Sequence, residues 1–387
     1  MRTSLATHSR WFAGALLPVV AVGIVALAGC GPAKKGDETS GTGPIVIGAI
    51  APLTGDGAEY GKWAQRGVTL ALADVNPNAG LERFKVVWED SQLDPNKAVS
   101  AYLKLVDSDH VPIVLGALTS GETIPTLAQA NTKKVPLLSP TATSDRLVDG
   151  GDYFFRVCPT NLVQADSAAV FATNNLGAKT AFVVFEEIAY GTDLANAFVK
   201  RFTALGGKIL GQESFKEGET DYRSLVQKVK QAKPAVVYVP ANYTEAGTLL
   251  RQLAQLQVTV PVLGGDGSYG QKLLEIAGPA AEGTYWTTIA WGTGESKAAA
   301  DSFSARYQKA YGEPPHQFAG LYYDAAKIAC NILARPGMTG AEVRTALLQM
   351  APFHGATGTT KFTAKGQVEK SFAVYQVRNG AYEQVAP

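Results

Sequence analysis

Residues 112–144 read PIVLGALTSGETIPTLAQANTKKVPLLSPTATS. An apolar run, Pro112–Ala117, ends in Leu118-Thr119-Ser120-Gly121-Glu122-Thr123, a hydroxyl-rich loop that opens a helix. A second apolar run, Val135–Ser139, ends in Pro140-Thr141-Ala142-Thr143-Ser144. Short Val/Ile/Leu-rich runs without polar alternation are what parallel strands covered on both faces look like. The same unit recurs outward in both directions. Ile45–Ala51 and Phe84–Asp90 precede it; Thr180–Glu186, Lys208–Glu213, Ala235–Pro240 and Pro261–Gly264 follow. Helical stretches are predicted at Gly61–Asp74, Lys97–Asp107, Asn161–Asn174, Tyr190–Leu205, Tyr222–Gln231, Glu245–Gln255 and Ser296–Tyr311. Within Tyr222–Gln231, Leu225, Val226 and Val229 form one stripe opposite Arg223, Gln227 and Lys230. Repeated strand–helix–strand order predicts an α/β, doubly wound architecture.

The strands fall into two sets, separated by the extended segment Tyr153–Thr160. Two further extended pieces lie after Glu282 and near Gly358–Phe362. Three crossings imply two doubly wound lobes that exchange chain through a three-segment hinge. The expected division is 44–157 with 290–359 for an N-terminal lobe and 158–289 with 360–387 for a C-terminal lobe. Ligands bind at the carboxyl ends of such strands, so two facing edges make a cleft.

The first residues are read as leaving the fold. Arg2 and Arg10 precede an apolar run from Trp11 to Ala28, followed by Gly29-Cys30. Basic residues, an apolar stretch and small residues at its end describe an export signal, with an uncleaved membrane anchor as the rival. The ending Leu27-Ala28-Gly29-Cys30 resembles a bacterial lipobox. That resemblance implies removal of residues 1–29 and acylation of Cys30, leaving the protein exported and lipid-anchored at the cell envelope. Residues 30–43, polar and glycine-rich, are expected to be a flexible tether reaching roughly 20 Å.

The 387 residues carry 35 basic and 34 acidic side chains, with 46% hydrophobic and 18% charged residues. That composition supports large cores, excludes a disordered chain and gives no reason to expect a nucleic-acid partner. Three cysteines are too few for a disulfide scaffold. Cys158 and Cys330 either pair or stay as two buried thiols. Signatures of catalysis are missing. The sequence has no phosphate loop, no H-E-x-x-H, no C-x-x-C and no G-x-S-x-G elbow after a strand. His110, His316 and His354 share no metal-ligand spacing and are expected in surface or loop positions. Gly55-Asp56-Gly57-Ala58-Glu59-Tyr60-Gly61 is one residue too long for a dinucleotide fingerprint. No enzyme activity, cofactor or metal is expected.

The strand-end loops are the candidate site. The loops at Ser120 and at Thr141–Thr143 present hydroxyls and free N–H groups that favour an anion. Ser120 and Thr143 also read as helix caps; as a pair on adjacent strands they make a carboxylate cradle. In the second strand set, Val262-Leu263-Gly264-Gly265-Asp266-Gly267 ends a strand with an acid among glycines. Asp266 is either a turn former or the acceptor for a ligand ammonium. Glu186-Glu187-Ile188-Ala189-Tyr190-Gly191 ends another strand and sets Tyr190 at a helix start.

These motifs together resemble the type I periplasmic binding proteins, and among them those serving branched-chain amino acid ABC transporters. The shared pieces are G-A-x-x-P-L-T-G with Tyr60-Gly61, the loop with Ser120, S-P-T-A-T-S, Y-G-T-D at Tyr190, L-L-R-Q and A-E-G-T-Y. The resemblance runs from Ile45 to about Val385. It implies that Ser120, Thr141, Ala142 and Thr143 hold a ligand carboxylate, with Leu118 the backbone position beside the ligand. It makes Asp266 the ammonium acceptor, where relatives carry glutamate. A tyrosine of the second lobe maps to Asn242 or Tyr243, and Tyr60, Tyr190 and Phe318 become aromatic walls. The implied function is a non-enzymatic receptor that takes an amino acid, branched-chain or otherwise small and aliphatic, and closes by hinge motion. Its partners are the ligand and the permease subunits, with the membrane reached through the lipid anchor only and no nucleic acid. The alternative is a sensor of a small amide, organic acid or other solute, feeding a signalling partner.

Overall fold

The computed structural model describes residues 43–76 and 82–386. The expected export signal, Cys30 and all but the last residue of the expected tether lie outside these residues.

Five strands form the first sheet: β1 (Ile45–Ala51), β2 (Phe84–Asp90), β3 (Val114–Leu115), β4 (Leu137–Ser139) and β5 (Phe154–Arg156). All run parallel, in the order β2-β1-β3-β4-β5. Helices α1 (Ala58–Val75), α2 (Pro95–Asp107) and α3 (Ser120–Lys133) connect them. After β5 the chain passes through α4 (Asn161–Val170) into a second sheet. There β6 (Thr180–Glu186), β7 (Lys208–Phe215), β8 (Val236–Val239), β9 (Val262–Gly264) and β10 (Tyr285–Ile289) are again parallel. Their order is β7-β6-β8-β9-β10. Their connections are α5 (Ala189–Ala204), α6 (Arg223–Ala232), α7 (Tyr243–Gln255) and α8 (Gln271–Ala277). The stripe read in the sequence is the buried face of α6.

The chain then returns with α9 (Lys297–Tyr311), α10 (Gln317–Ile332) and α11 (Gly340–Gln349). Helix α10 packs along α1, and its Tyr322 hydroxyl donates to the carbonyl of Ile50 in β1 at 3.2 Å. A small hairpin, β11 (Phe353–Gly355) with β12 (Gly358–Thr360), precedes the last crossing. Finally β13 (Phe372–Arg378) and β14 (Ala381–Ala386) add antiparallel strands beside β10.

The two sheets are wound alike, each reversing direction beside its first strand. In such sheets the crevice at the reversal point, outside the strands' carboxyl ends, is where ligands bind. A matched local device serves both. A Cβ on Gly61 would lie 2.1 Å from the Pro52 carbonyl oxygen, and one on Gly191 2.3 Å from that of Glu186. Each Tyr-Gly pair thus lets a helix start hard against the end of its strand, with the tyrosine at the strand end.

Several sequence readings shift. The third and fourth strands shorten to two and three residues, because Pro112 and Pro136 have no N–H for the ladder and Gly116 turns to φ 132°. The extended piece near Gly358–Phe362 is a hairpin strand, with the crossing just after it. His316, expected at a surface or in a loop, is the buried N-cap of α10, where it stacks on Trp63 at 3.6 Å. Cys158 and Cys330 are both buried free thiols.

Candidate functional site

Loops that follow strand carboxyl ends of both sheets enclose a cavity of about 240 Å³. The first sheet contributes Tyr60, Leu118, Ser120, Thr141 and Thr143; the second contributes Tyr190, Asn242 and Asp266, while Phe318 comes from the start of α10. Nine of the eleven expected residues therefore meet in one lining. Ala142 and Tyr243 stand behind it. The Ala142 N–H donates to Ser139 Oγ at 3.2 Å, within the fold. Tyr243 packs under Tyr60, ring centroids 4.6 Å apart, and its hydroxyl donates to the Asp56 carbonyl.

The hydroxyl end is built so that capping falls to the neighbours of the lining residues. Thr119, not Ser120, caps α3. Its hydroxyl accepts the Glu122 N–H at 3.3 Å while the Glu122 carboxylate accepts the Thr119 N–H at 2.9 Å. Ser144, not Thr143, caps the short 3-10 turn Asp145–Leu147. Ser120 Oγ accepts the Ser144 N–H at 3.1 Å and keeps its own proton to give. The Thr143 hydroxyl has no hydrogen-bond partner among the described residues, although the residue is only 2% exposed. Thr141 donates to the Leu118 carbonyl at 2.5 Å, joining the two loops. Arg156, fully buried, holds the second loop from behind. Its Nη1 donates to the carbonyls of Ala142 (3.2 Å) and Ser144 (2.8 Å), and its Nε to Gln367 at 2.6 Å.

Opposite lies Asp266, 4% exposed. Gln164 (2.9 Å) and the Tyr190 hydroxyl (2.8 Å) both donate to Oδ1, and no side chain among the described residues donates to Oδ2. Burial pushes the carboxyl up to about 6, against hydrogen bonds from Gln164, Tyr190 and the backbone that favour its charged form. Behind Asn242, Glu186 accepts the Asn242 N–H at 2.8 Å and is raised to about 8, by burial first and by Glu245 second. Neither Asp266 nor Glu186 has an ion-pair partner among the described residues. The site is thus short of positive charge on this side.

The walls are Tyr60 and Phe318, 5.5 Å apart between ring centroids, with Leu93, Ile188 and Ala189. The Tyr60 hydroxyl spans the cleft, donating to the Gly267 carbonyl at 2.5 Å with Asn242 Oδ1 at 3.2 Å. Sequence reasoning missed Leu93 and Pro95, which follow β2, and Glu217, an exposed rim residue that follows β7. The strand-end rule finds them when applied to every strand rather than to the motif-bearing ones alone.

The site is a two-sided pocket: hydroxyl donors on one side, a carboxylate on the other, and apolar walls between. Comparison with known proteins agrees with that picture. A Periplasmic binding protein family profile matches residues 44–381. The chain is 32% identical over 342 residues to Leu/Ile/Val-binding protein homolog 3 of Brucella melitensis, covering 87% of this chain and 92% of that one. Among solved structures, the leucine-binding protein LivK of Thermotoga maritima superposes with a TM-score of 0.83 at 29% identity, over 88% of this chain and 98% of that one. LivJ of Streptococcus pneumoniae, in complex with isoleucine, gives 0.82 at 30% identity, over 89% of this chain and 100% of that one. With its two like-wound sheets and a pocket between their strand ends, the chain belongs to the periplasmic binding protein family, as a solute-binding receptor and not an enzyme.

Proposed function

We propose that this receptor serves an ABC importer and takes an α-amino acid, branched-chain or otherwise small and aliphatic, as a zwitterion between its two sides. The observation that carries the reading is the polarity of the cavity. Ser120, Thr141 and Thr143 offer or share hydroxyls at one end, and the buried Asp266 carboxylate stands at the other. Each charge-assisted hydrogen bond contributes about 1.5–3 kcal/mol, and a micromolar Kd needs about 8.2 kcal/mol net. The aliphatic side chain meets Leu93, Leu118, Ile188 and Phe318. Relatives named for leucine, isoleucine and valine point the same way.

In this reading the lobes 44–157 with 290–359 and 158–289 with 360–387 close about the ligand, and the permease recognises the closed form. Export ends with cleavage before Cys30 and acylation of that residue, so the receptor stays on the membrane by lipid alone.

One preparation tests the reading. Mature protein purified from its host carries fatty acid on Cys30, and L-leucine, L-isoleucine or L-valine raises its melting temperature. At a hundred times Kd the gain is about 2.7 kcal/mol. A shift with small amides or organic acids and with no amino acid would replace the amino-acid reading by the sensor one.

A further inference from the structure

We propose that Asp193 is a closure latch: it couples the shutting of the cleft to the carboxylate loop without touching the ligand. The inference rests on the receptor reading above. Asp193 lies on α5, which follows β6 of the second sheet; Ser144 and Arg146 follow β4 of the first. The Ser144 hydroxyl donates to Asp193 Oδ2, and Arg146 Nε donates to the same oxygen at 3.0 Å. Asp193 is not among the cavity-lining residues, and its side chain keeps 18% of its exposure.

Two features make this pair more than a surface ion pair. The Ser144 N–H donates to Ser120 Oγ, so one residue joins the cavity hydroxyl to the latch. Asp193 also sits one turn beyond Tyr190, whose hydroxyl holds Asp266 Oδ1 at 2.8 Å. The N-terminal two turns of α5 therefore grip the ammonium acceptor through Tyr190 and the carboxylate loop through Asp193. Other direct bridges across the cleft include Tyr60 to Gly267 and Tyr243 to Asp56, made by a cavity residue and by a residue packed on one, and His316 to the Tyr269 carbonyl, which lies outside the lining. The Asp193 pair lies outside the lining, so it adjusts closure without altering the cavity. A ligand that needs the closed state binds with an apparent Kd raised in proportion to the closed fraction lost. The latch therefore scales every affinity by one factor and leaves the ranking of ligands unchanged.

The test uses Asp193→Ala and Arg146→Ala in the full mature chain. Kd and dissociation rates are measured for L-leucine, L-isoleucine and L-valine. Pulsed electron resonance reports the distance between spin labels at the exposed positions Thr132 and Gln227 in ligand-free protein. Asp193→Ala is expected to raise all three Kd values by the same factor, about five- to tenfold, mostly through faster release. The closed-distance population of the ligand-free receptor falls in step, and Arg146→Ala gives a smaller uniform change. Affinities within twofold of wild type would overturn the latch. So would unequal factors across the three ligands, or a ligand-free wild type without a closed population. Failure of the wild type to bind any of the three strikes the amino-acid reading instead, while the distance measurement still decides the latch.

Discussion

Asp266→Asn is expected to weaken amino-acid binding by at least a hundredfold while leaving a carboxylic acid without an ammonium almost untouched. An α-ammonium entering the closed cavity loses its water, and Asp266 is the buried carboxylate that lines it opposite the hydroxyls. Removing one partner of a buried ion pair costs about 3–5 kcal/mol. The hydrogen bonds sharpen the effect. Gln164 and Tyr190 both donate to Oδ1, so the asparagine must keep its carbonyl oxygen there and turn its NH2 toward the ligand, donor against donor. Calorimetry on the two proteins reads the difference, and equal affinity for the amino acid would remove Asp266 from the site.

The same residue sets a pH profile. Its carboxyl lies at about 6 in the folded receptor, above the ordinary 3.8, so the fold disfavours the charged form. The ligand-free protein thus gains stability from this group as pH falls from about 6 toward 4. Binding an ammonium requires the ionised form. Affinity is therefore full above about pH 6 and declines below it, by up to tenfold per pH unit. Asp266→Asn abolishes that decline along with the affinity.

The second large effect belongs to the hydroxyl side. Ser120→Ala with Thr143→Ala removes two hydrogen bonds to a carboxylate, each about 1.5–3 kcal/mol, so Kd rises by roughly a hundredfold to ten-thousandfold. The single variants separate binding from folding. Thr143 caps nothing and its hydroxyl has no partner among the described residues, so Thr143→Ala keeps the melting temperature of the ligand-free protein. Ser120 accepts the buried Ser144 N–H, so Ser120→Ala lowers it, by the equivalent of about 1–3 kcal/mol. Unchanged affinity in the double variant would return both residues to a purely structural role.

The fold was legible because its signals are local. Apolar runs, glycines at strand ends and helix stripes place β1 through β4, β6 through β9 and most of the helices, whereas the segment holding β5 reads only as the extended piece between the two strand sets. Strand-end chemistry then gathers Tyr60, Ser120, Thr143, Tyr190 and Asp266 into one cavity. Capping was read one residue off at both loops. The motif Thr119-Ser120 offers two hydroxyls in a row, and only Glu122 three residues on from Thr119 decides which is the cap. Long-range support leaves no local trace. Arg156 meets Gln367 across 211 residues of chain, and Ser144 meets Asp193 from the other sheet. His316 is a polar residue in a short loop by sequence. It is buried because Trp63 from α1 covers its ring and the Tyr269 carbonyl bonds its Nε2 at 2.6 Å. That burial pushes it down to about 3 and keeps it neutral.

The most direct test of the zwitterion site is calorimetry on the wild-type receptor with three compounds of one shape: L-leucine, 4-methylpentanoate, which lacks the ammonium, and 3-methylbutylamine, which lacks the carboxylate. With Ser120 and Thr143 on one side and Asp266 on the other, leucine binds, and each analogue is at least a hundredfold weaker because one end of the cavity faces it unmatched. Either analogue bound within tenfold of leucine would contradict the two-ended site.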